Sequence, residues 1–159
     1  MPYACYGSPV GRLALYENNG ALTELRLLRA GDAPAAPNDD TPLLRRAQRQ
    51  LAEYFAHRRT QFTLPLAPAG TPFQQAVWAQ LRAIPCGETR TYGQIAAALG
   101  RPKAARAVGM ACRSNPLLLV VPCHRVIGAD GSLTGFAGGL AAKQALLALE
   151  QGTPAAPAR

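Results

Sequence analysis

The sequence of 159 residues places a thiol, an imidazole and a guanidinium side by side in Cys123-His124-Arg125, directly after Pro122 and the apolar run of residues 117–121. A thiolate, not a thiol, is the nucleophile, and neighbouring positive charge lowers a cysteine pKa, so this cluster reads as an activated Cys123. Side chains of adjacent residues generally point apart, which makes a direct hydrogen bond from Cys123 to His124 awkward, and a bridging water could relay the proton instead. An imidazole base needs a carboxylate or carbonyl to orient it. Residues 71–159 offer only three acids, Glu88, Asp130 and Glu150. Glu150 closes the apolar stretch "ALLALE", where an unpaired carboxylate is costly, and it is therefore expected to have a partner; a solvated helix end is the plainer alternative. Cys5, Cys86 and Cys112 read as small core residues. Without a C-x-x-C pair, neither a disulfide nor a cysteine-rich zinc site is expected. His57 falls at the basic end of a helix and reads as a surface residue.

These side chains need elements to hold them. Alternating apolar residues on both sides of Asn19-Gly20 predict two antiparallel strands within residues 8–29. Thr41-Pro42 opens a helix with Leu44, Ala47, Leu51, Tyr54 and Phe55 on one face and arginines on the other. "LPLAPAG" reads as a linker, which puts a domain boundary near residue 70. Thr71 and Gln74 form a capping box for a helix carrying Phe73, Val77, Trp78 and Leu81, and Thr91 with Gln94 form another that Gly100 stops. A third helix is expected from Pro102 to the break at Asn115-Pro116. Helix, short turn, helix is the pattern of a helix-turn-helix. The run "LLLVV" predicts a buried strand ended by Pro122. A last helix is expected to bury Leu146, Leu147 and Leu149, and residues 153–159 read as a frayed tail.

Composition is that of a globular protein, 48% hydrophobic and 16% charged, with no apolar run long enough to span a bilayer and no signal-peptide pattern, so a cytoplasmic protein is expected. The net charge is +8. Residues 1–70 carry eight basic and six acidic side chains, whereas residues 71–159 carry nine and three. An arginine-rich composition accounts for part of this excess, and its concentration in the second half fits a face that meets nucleic acid.

Four ordered blocks carry a resemblance: "TYGQIAAALGRPKAARAVG", "RSNP", "VVPCHRVIG" and "GFAGGLAAKQALLALE". Together they resemble the O6-alkylguanine-DNA alkyltransferases, from about Thr71 to Gly152, and "SPVGRLALYENNGALTELRL" is similar to that family's more variable N-terminal domain. The resemblance implies an α/β (α+β) fold: a small ribonuclease H-like antiparallel sheet with a helix over residues 1–70, then a mainly helical, winged-helix-like domain over residues 71–152. It implies an irreversible, single-turnover transfer of the alkyl group from O6-alkylguanine, with O4-alkylthymine as a second candidate substrate, to Cys123. His124 matches the water-linked base, Glu150 its orienter, Asn115 the hinge asparagine, Tyr92 the donor to the departing guanine and Lys143 the lysine near the cysteine. Arg106 matches the arginine that replaces the flipped base in duplex DNA, with Ala105 and Gly109 small enough for a close minor-groove approach. Thr91, Gln94, Arg113 and Ser114 are candidate DNA contacts.

The backbone of Val126 and of Ala137 matches groups that hold the guanine, in a pocket completed by Thr134, Phe136 and Gly138. Phe136-Ala137 stands where many members have a tyrosine followed by Ser or Ala, so a tyrosine hydroxyl contact is lost. The resemblance implies no cofactor and no metal, since the ligands of the mammalian zinc site have no full counterpart. It implies a monomer on double-stranded DNA, binding alone or cooperatively, with no membrane and no obligate protein partner. The alternative is an alkyltransferase-like protein that binds the lesion without chemistry. A cysteine at position 123 argues against it, because such proteins carry another residue there. Arg125 is left with structural pairing and a local positive field.

Overall fold

A computed structural model describes residues 2–29, 39–133, 136 and 139–152. The chain forms two compact units, one of residues 1–69 with 116–118 and the other of residues 70–115 with those from 119 onward.

In the first unit, β1 (Tyr3–Ser8), β2 (Gly11–Asn18) and β3 (Ala21–Leu27) form an antiparallel sheet in the order β1-β2-β3. The β2–β3 hairpin turns on Asn19 and Gly20 with φ of 53° and 78°. Positive φ at both central residues gives the mirror-image turn whose twist suits a hairpin, which is why Asn-Gly signals it. The predicted pair of strands is present, and β1 is a third that the alternation did not single out.

Helix α1 (Pro42–Phe55) packs on β1 and β2 and buries Leu44, Ala47, Leu51 and Tyr54, with Phe55 only half-buried. Full burial of each such leucine contributes about 1.5–3 kcal/mol. Thr41 caps the helix by accepting from the Leu44 N–H, and its hydroxyl donates to the Glu17 carboxylate of β2. Gln50 is also buried, and its amide exchanges two bonds with Thr63: the Thr63 N–H to Oε1 at 2.9 Å and Nε2 to the Thr63 hydroxyl at 3.0 Å. A buried amide satisfied in this way is tolerated on an apolar face.

The stretch read as a linker instead covers a sheet edge. The Leu22 N–H donates to the Pro65 carbonyl and the Ala67 N–H to the Leu22 carbonyl, both at 2.8 Å. Farther along β3, Leu25 exchanges bonds with Pro116 and Leu118 at 2.7 and 2.9 Å. An uncovered edge strand presents unpaired backbone groups, and these two short segments pair them.

The second unit is mainly helical. Helix α2 (Pro72–Arg82) has the predicted capping box between Thr71 and Gln74 and buries Val77, Trp78 and Leu81. The Trp78 indole N–H donates to the Ala111 carbonyl of α4 at 2.9 Å. Helix α3 (Tyr92–Ala98) starts with the Thr91–Gln94 box and ends at Gly100, φ 73°. There the Gly100 N–H bonds the Ala97 carbonyl and the Arg101 N–H the Ala96 carbonyl, a Schellman stop.

Helix α4 (Ala105–Arg113) begins later than the expected Pro102, because residues 101–104 first close a turn with the Ala104 N–H on the Arg101 carbonyl. Nothing in "RPKA" supplies a capping side chain, and none bonds the start of α4. Two-residue strands β4 (Arg90–Thr91) and β5 (Val126–Ile127) pair in parallel. Helix α5 (Leu140–Glu150) buries Leu146 and Lys143, whereas Leu147 and Leu149 are only half-buried. The architecture is thus the expected one, a small antiparallel sheet with a helix followed by a mainly helical unit containing a helix-turn-helix.

The run "LLLVV" is not a strand. Leu117 makes one bridge to β3, and residues 118–121 form a buried turn in which Leu119 takes φ 71°. A short apolar run reports burial and not backbone shape, so its periodicity alone cannot separate a core strand from a core turn.

Candidate active site and nucleic-acid interface

Pro122 fixes the approach to the reactive segment. Its φ and ψ of −80° and 67°, with the Cys123 N–H on the Val121 carbonyl at 2.8 Å, make an inverse γ-turn that the proline ring favours. Cys123–Arg125 then form a single turn of 3-10 helix, and all three side chains are buried. Asn115, just past the end of α4, spans this loop: its Nδ2 donates to the Val121 carbonyl at 2.7 Å and to Cys123 Sγ at 3.3 Å.

Cys123 is only 2% exposed, and burial pushes its thiol up to about 11, against the lowering effects of the Asn115 amide and the Lys143 charge. The expectation that adjacent cations hold a thiolate is therefore corrected: desolvation outweighs them, and the resting group is a thiol. Cys112 on α4 is pushed up to about 12, by burial first and by Cys123 second. Cys123 would have to lose its proton in order to act as a nucleophile.

The imidazole expected to serve as base stands next to it. His124 is fully buried, and burial lowers its pKa below the ordinary 6.5 although Glu150 pulls the other way. Its Nε2 lies 2.6 Å from Glu150 Oε2. With the carboxylate as acceptor, Nε2 carries the proton and Nδ1 keeps its lone pair. His124 Nδ1 is buried without a hydrogen-bond partner among the described residues. Arg125 grips the same carboxylate in a fork, Nε to Oε1 at 2.7 Å and Nη2 to Oε2 at 2.9 Å, while its Nη1 donates to the Ile84 carbonyl at 2.7 Å. Burial opposes the charge on Glu150, but His124 and then Arg125 bring its pKa down to about 2. The partner expected for Glu150 is present, and Arg125 is a second one, whose expected structural pairing had been left without a named partner.

Lys143 connects this centre with the helix-turn-helix. Its side chain is buried, Nζ donates to the Val126 carbonyl at 2.6 Å, and it stands 5.9 Å from the centre of the Tyr92 ring. Burial lowers the lysine's pKa, and the two cysteines partly restore it. Tyr92 is the first residue of α3, and with Ala105, Arg106, Gly109, Met110 and Arg113 of α4 it lines a groove of about 480 Å³. Arg106, Met110 and Arg113 are exposed. A Cβ on Gly109 would lie 3.7 Å from the Tyr92 ring, so the ring packs closely over this point of α4.

Two family models cover nearly the whole chain. One described as 6-O-methylguanine DNA methyltransferase, DNA binding domain, matches residues 72–152, and one described as 6-O-methylguanine DNA methyltransferase, ribonuclease-like domain, matches residues 1–68. The chain belongs to the 6-O-methylguanine DNA methyltransferase family. Among similar proteins is the methylated-DNA–protein-cysteine methyltransferase of Methanosarcina acetivorans, 46% identical over 94% of this chain and 98% of its own. A crystal structure of Mycobacterium tuberculosis OGT in complex with DNA is 47% identical, covers 95% of this chain and 93% of that one, and has a TM-score of 0.85. Another, of the Mycobacterium tuberculosis O6-methylguanine methyltransferase, is 45% identical with a TM-score of 0.84, covering 99% and 96%.

In this methyltransferase-family chain the residues picked out in the sequence fall into two groups. Cys123, His124, Glu150, Asn115, Lys143 and Val126 meet around the 3-10 turn, and the rings of Phe136 and His124 stand nearly perpendicular with centroids 6.4 Å apart. Tyr92, Ala105, Arg106, Gly109 and Arg113 share the groove. Thr91 and Gln94 spend acceptor oxygens on their capping box, and the Ser114 hydroxyl donates to the Met110 carbonyl at 3.1 Å, so these three are structural as well as candidate contacts. Thr134, Ala137 and Gly138 lie outside the described residues. Met110 was missed in sequence reading although it is 64% exposed in the groove. Its signal was an apolar side chain on the charged face of an amphipathic helix.

Proposed function

We propose that the protein repairs alkylated double-stranded DNA by moving the alkyl group of O6-alkylguanine irreversibly onto Cys123. The observation that carries this reading is the buried Cys123 thiol held by Asn115 beside His124, whose Nδ1 keeps a lone pair while Glu150 accepts from Nε2. The Cys123 proton passes through a water to His124 Nδ1, Sγ attacks the alkyl carbon, and the carbon–O6 bond breaks with its electron pair left on guanine. Tyr92 donates a proton to the departing base and recovers one from solvent, while His124 returns the proton it took from Cys123 to solvent through the same water, so that protons balance. The products are an S-alkylcysteine and an intact guanine, and no step restores the thiol.

A stacked guanine cannot reach a thiol this buried, so the base must leave the helix, at a cost of roughly a few kcal/mol. Helix α4 lies along the minor groove, where Ala105 and Gly109 permit close approach and Arg106 fills the vacated stack. Lys143 orients the Val126 carbonyl, whose second lone pair accepts from the guanine amino group. Phe136 forms a wall of the base pocket. The protein acts as a monomer, with residues 71–152 holding both the DNA face and the chemistry.

The test is stoichiometry. When a fixed amount of protein meets increasing duplex containing O6-methylguanine, repaired guanine should plateau at one per protein molecule, and Cys123→Ala should bind the duplex yet repair none. Continued turnover beyond one equivalent, or repair by the alanine variant, would contradict the proposal.

A further inference from the structure

We infer that Arg125 is a positioning residue for alkyl transfer: its guanidinium balances the charge of Glu150 so that His124 stays neutral and keeps the Nδ1 lone pair that receives the Cys123 proton. The inference rests on the alkyl-transfer reading and deepens it at a residue to which that reading gives no part.

The geometry separates this role from that of a simple tether. Both oxygens of Glu150 are engaged by the Arg125 fork, and His124 shares Oε2 with it. The carboxylate that orients the imidazole is thus already matched by a cation. A lone carboxylate in the same dry site would instead draw a second proton onto the ring. His124 with both nitrogens protonated could only donate and could not accept the Cys123 proton.

The surrounding ionisable groups do not duplicate this balance. Helix α5 contributes Glu150 and Lys143, the 3-10 turn Cys123 and Arg125, the connection after α2 contributes Cys86, and α4 contributes Cys112. Lys143 also lowers His124, but less than Arg125 does, and its Nζ donates to the Val126 carbonyl. Arg82, the sole ionisable side chain of α2, is exposed. Burial raises both Cys86 and Cys112, which keeps them uncharged.

The chain is shaped around the pair. The Ile84 carbonyl takes the third guanidinium nitrogen at 2.7 Å, and Gly87, with φ 91°, leaves room where a Cβ would stand 3.2 Å from the Glu150 carbonyl oxygen. A fork held at three nitrogens fixes both the distance and the direction of the compensating charge, which a flexible ammonium does less well.

The test compares Arg125→Met, Arg125→Lys and the double variant Arg125→Met with Glu150→Gln. Two readouts are used: the pH profile of single-turnover repair on methylated duplex, and the ring-nitrogen NMR titration of His124. Arg125→Met should move the acid limb of the profile and the His124 titration upward by about one to three pH units, with repair recovering at high pH. Arg125→Lys should keep the acid limb near that of the parent. The double variant, which removes both charges, should bring the titration back down and remains informative if the single methionine variant fails to fold. An unmoved His124 titration in Arg125→Met, or a titration in the double variant that stands about one to three pH units above the parent's, would overturn the inference. If the parent itself transfers nothing to Cys123, the alkyl-transfer reading fails, whereas the NMR titration still judges the role of Arg125.

Discussion

At the scale of single residues, the site sets a cysteine that is not ionised at rest beside a histidine that is not protonated at rest. Burial sets both states, raising Cys123 to about 11 and lowering His124. An exposed thiolate would react with any electrophile, whereas burial holds this sulfur as the less reactive thiol. Stability carries the same signature. Glu150 has a folded pKa of about 2 against an ordinary 4.5, and His124 lies below 6.5, so the unfolded chain binds more protons in acid at both positions. Their contribution is complete above pH 6.5, falls first as unfolded His124 protonates, and falls again from 4.5 towards 2 as Glu150 does. Urea unfolding at a series of pH values should show this decline, and a flat profile between neutral pH and pH 4.5 would contradict it. Glu150→Gln leaves the Arg125 guanidinium buried without its carboxylate and should cost about 3–5 kcal/mol in the same measurement.

At the scale of elements, local signals were legible in the sequence and tertiary ones were not. Asn19-Gly20, the two Thr–Gln capping boxes and the Gly100 stop each act within a few residues, and the structure forms all of them. The run "LLLVV" misled because its path depends on an Asn115 bond to Val121 and on a left-handed Leu119, neither visible in apolar periodicity. Strands β4 and β5 pair through two residues each, too few to leave a pattern. Arg125 was legible as a charge but not as a partner of Glu150, twenty-five residues away in sequence. The helix-turn-helix was readable, and its groove yields a prediction for α4. Arg106→Ala should slow repair of duplex DNA far more than reaction with a free benzylated guanine, because only the duplex must be opened. Single-turnover rates on the two substrates measure this, and equal losses would remove Arg106 from base flipping.

At the scale of the molecule, the chain forms two units that are not simply its two halves, since residues 116–118 pair with β3 of the first. A boundary read from composition near residue 70 could not show that return, because it depends on which sheet edge is open. The basic excess of residues 71–159 falls on the same stretch as the helix-turn-helix and Cys123, so the charge that favours DNA and the proposed chemistry lie in one part of the sequence. The central claim concerns where the alkyl group ends, and the intact mass of the protein reads it directly. After incubation with duplex DNA bearing O6-methylguanine, the account predicts a gain of one methyl group per molecule, located by peptide mapping on Cys123 and absent in Cys123→Ala. Repaired DNA with an unchanged protein mass, or a methyl group mapped to any other residue, would contradict it.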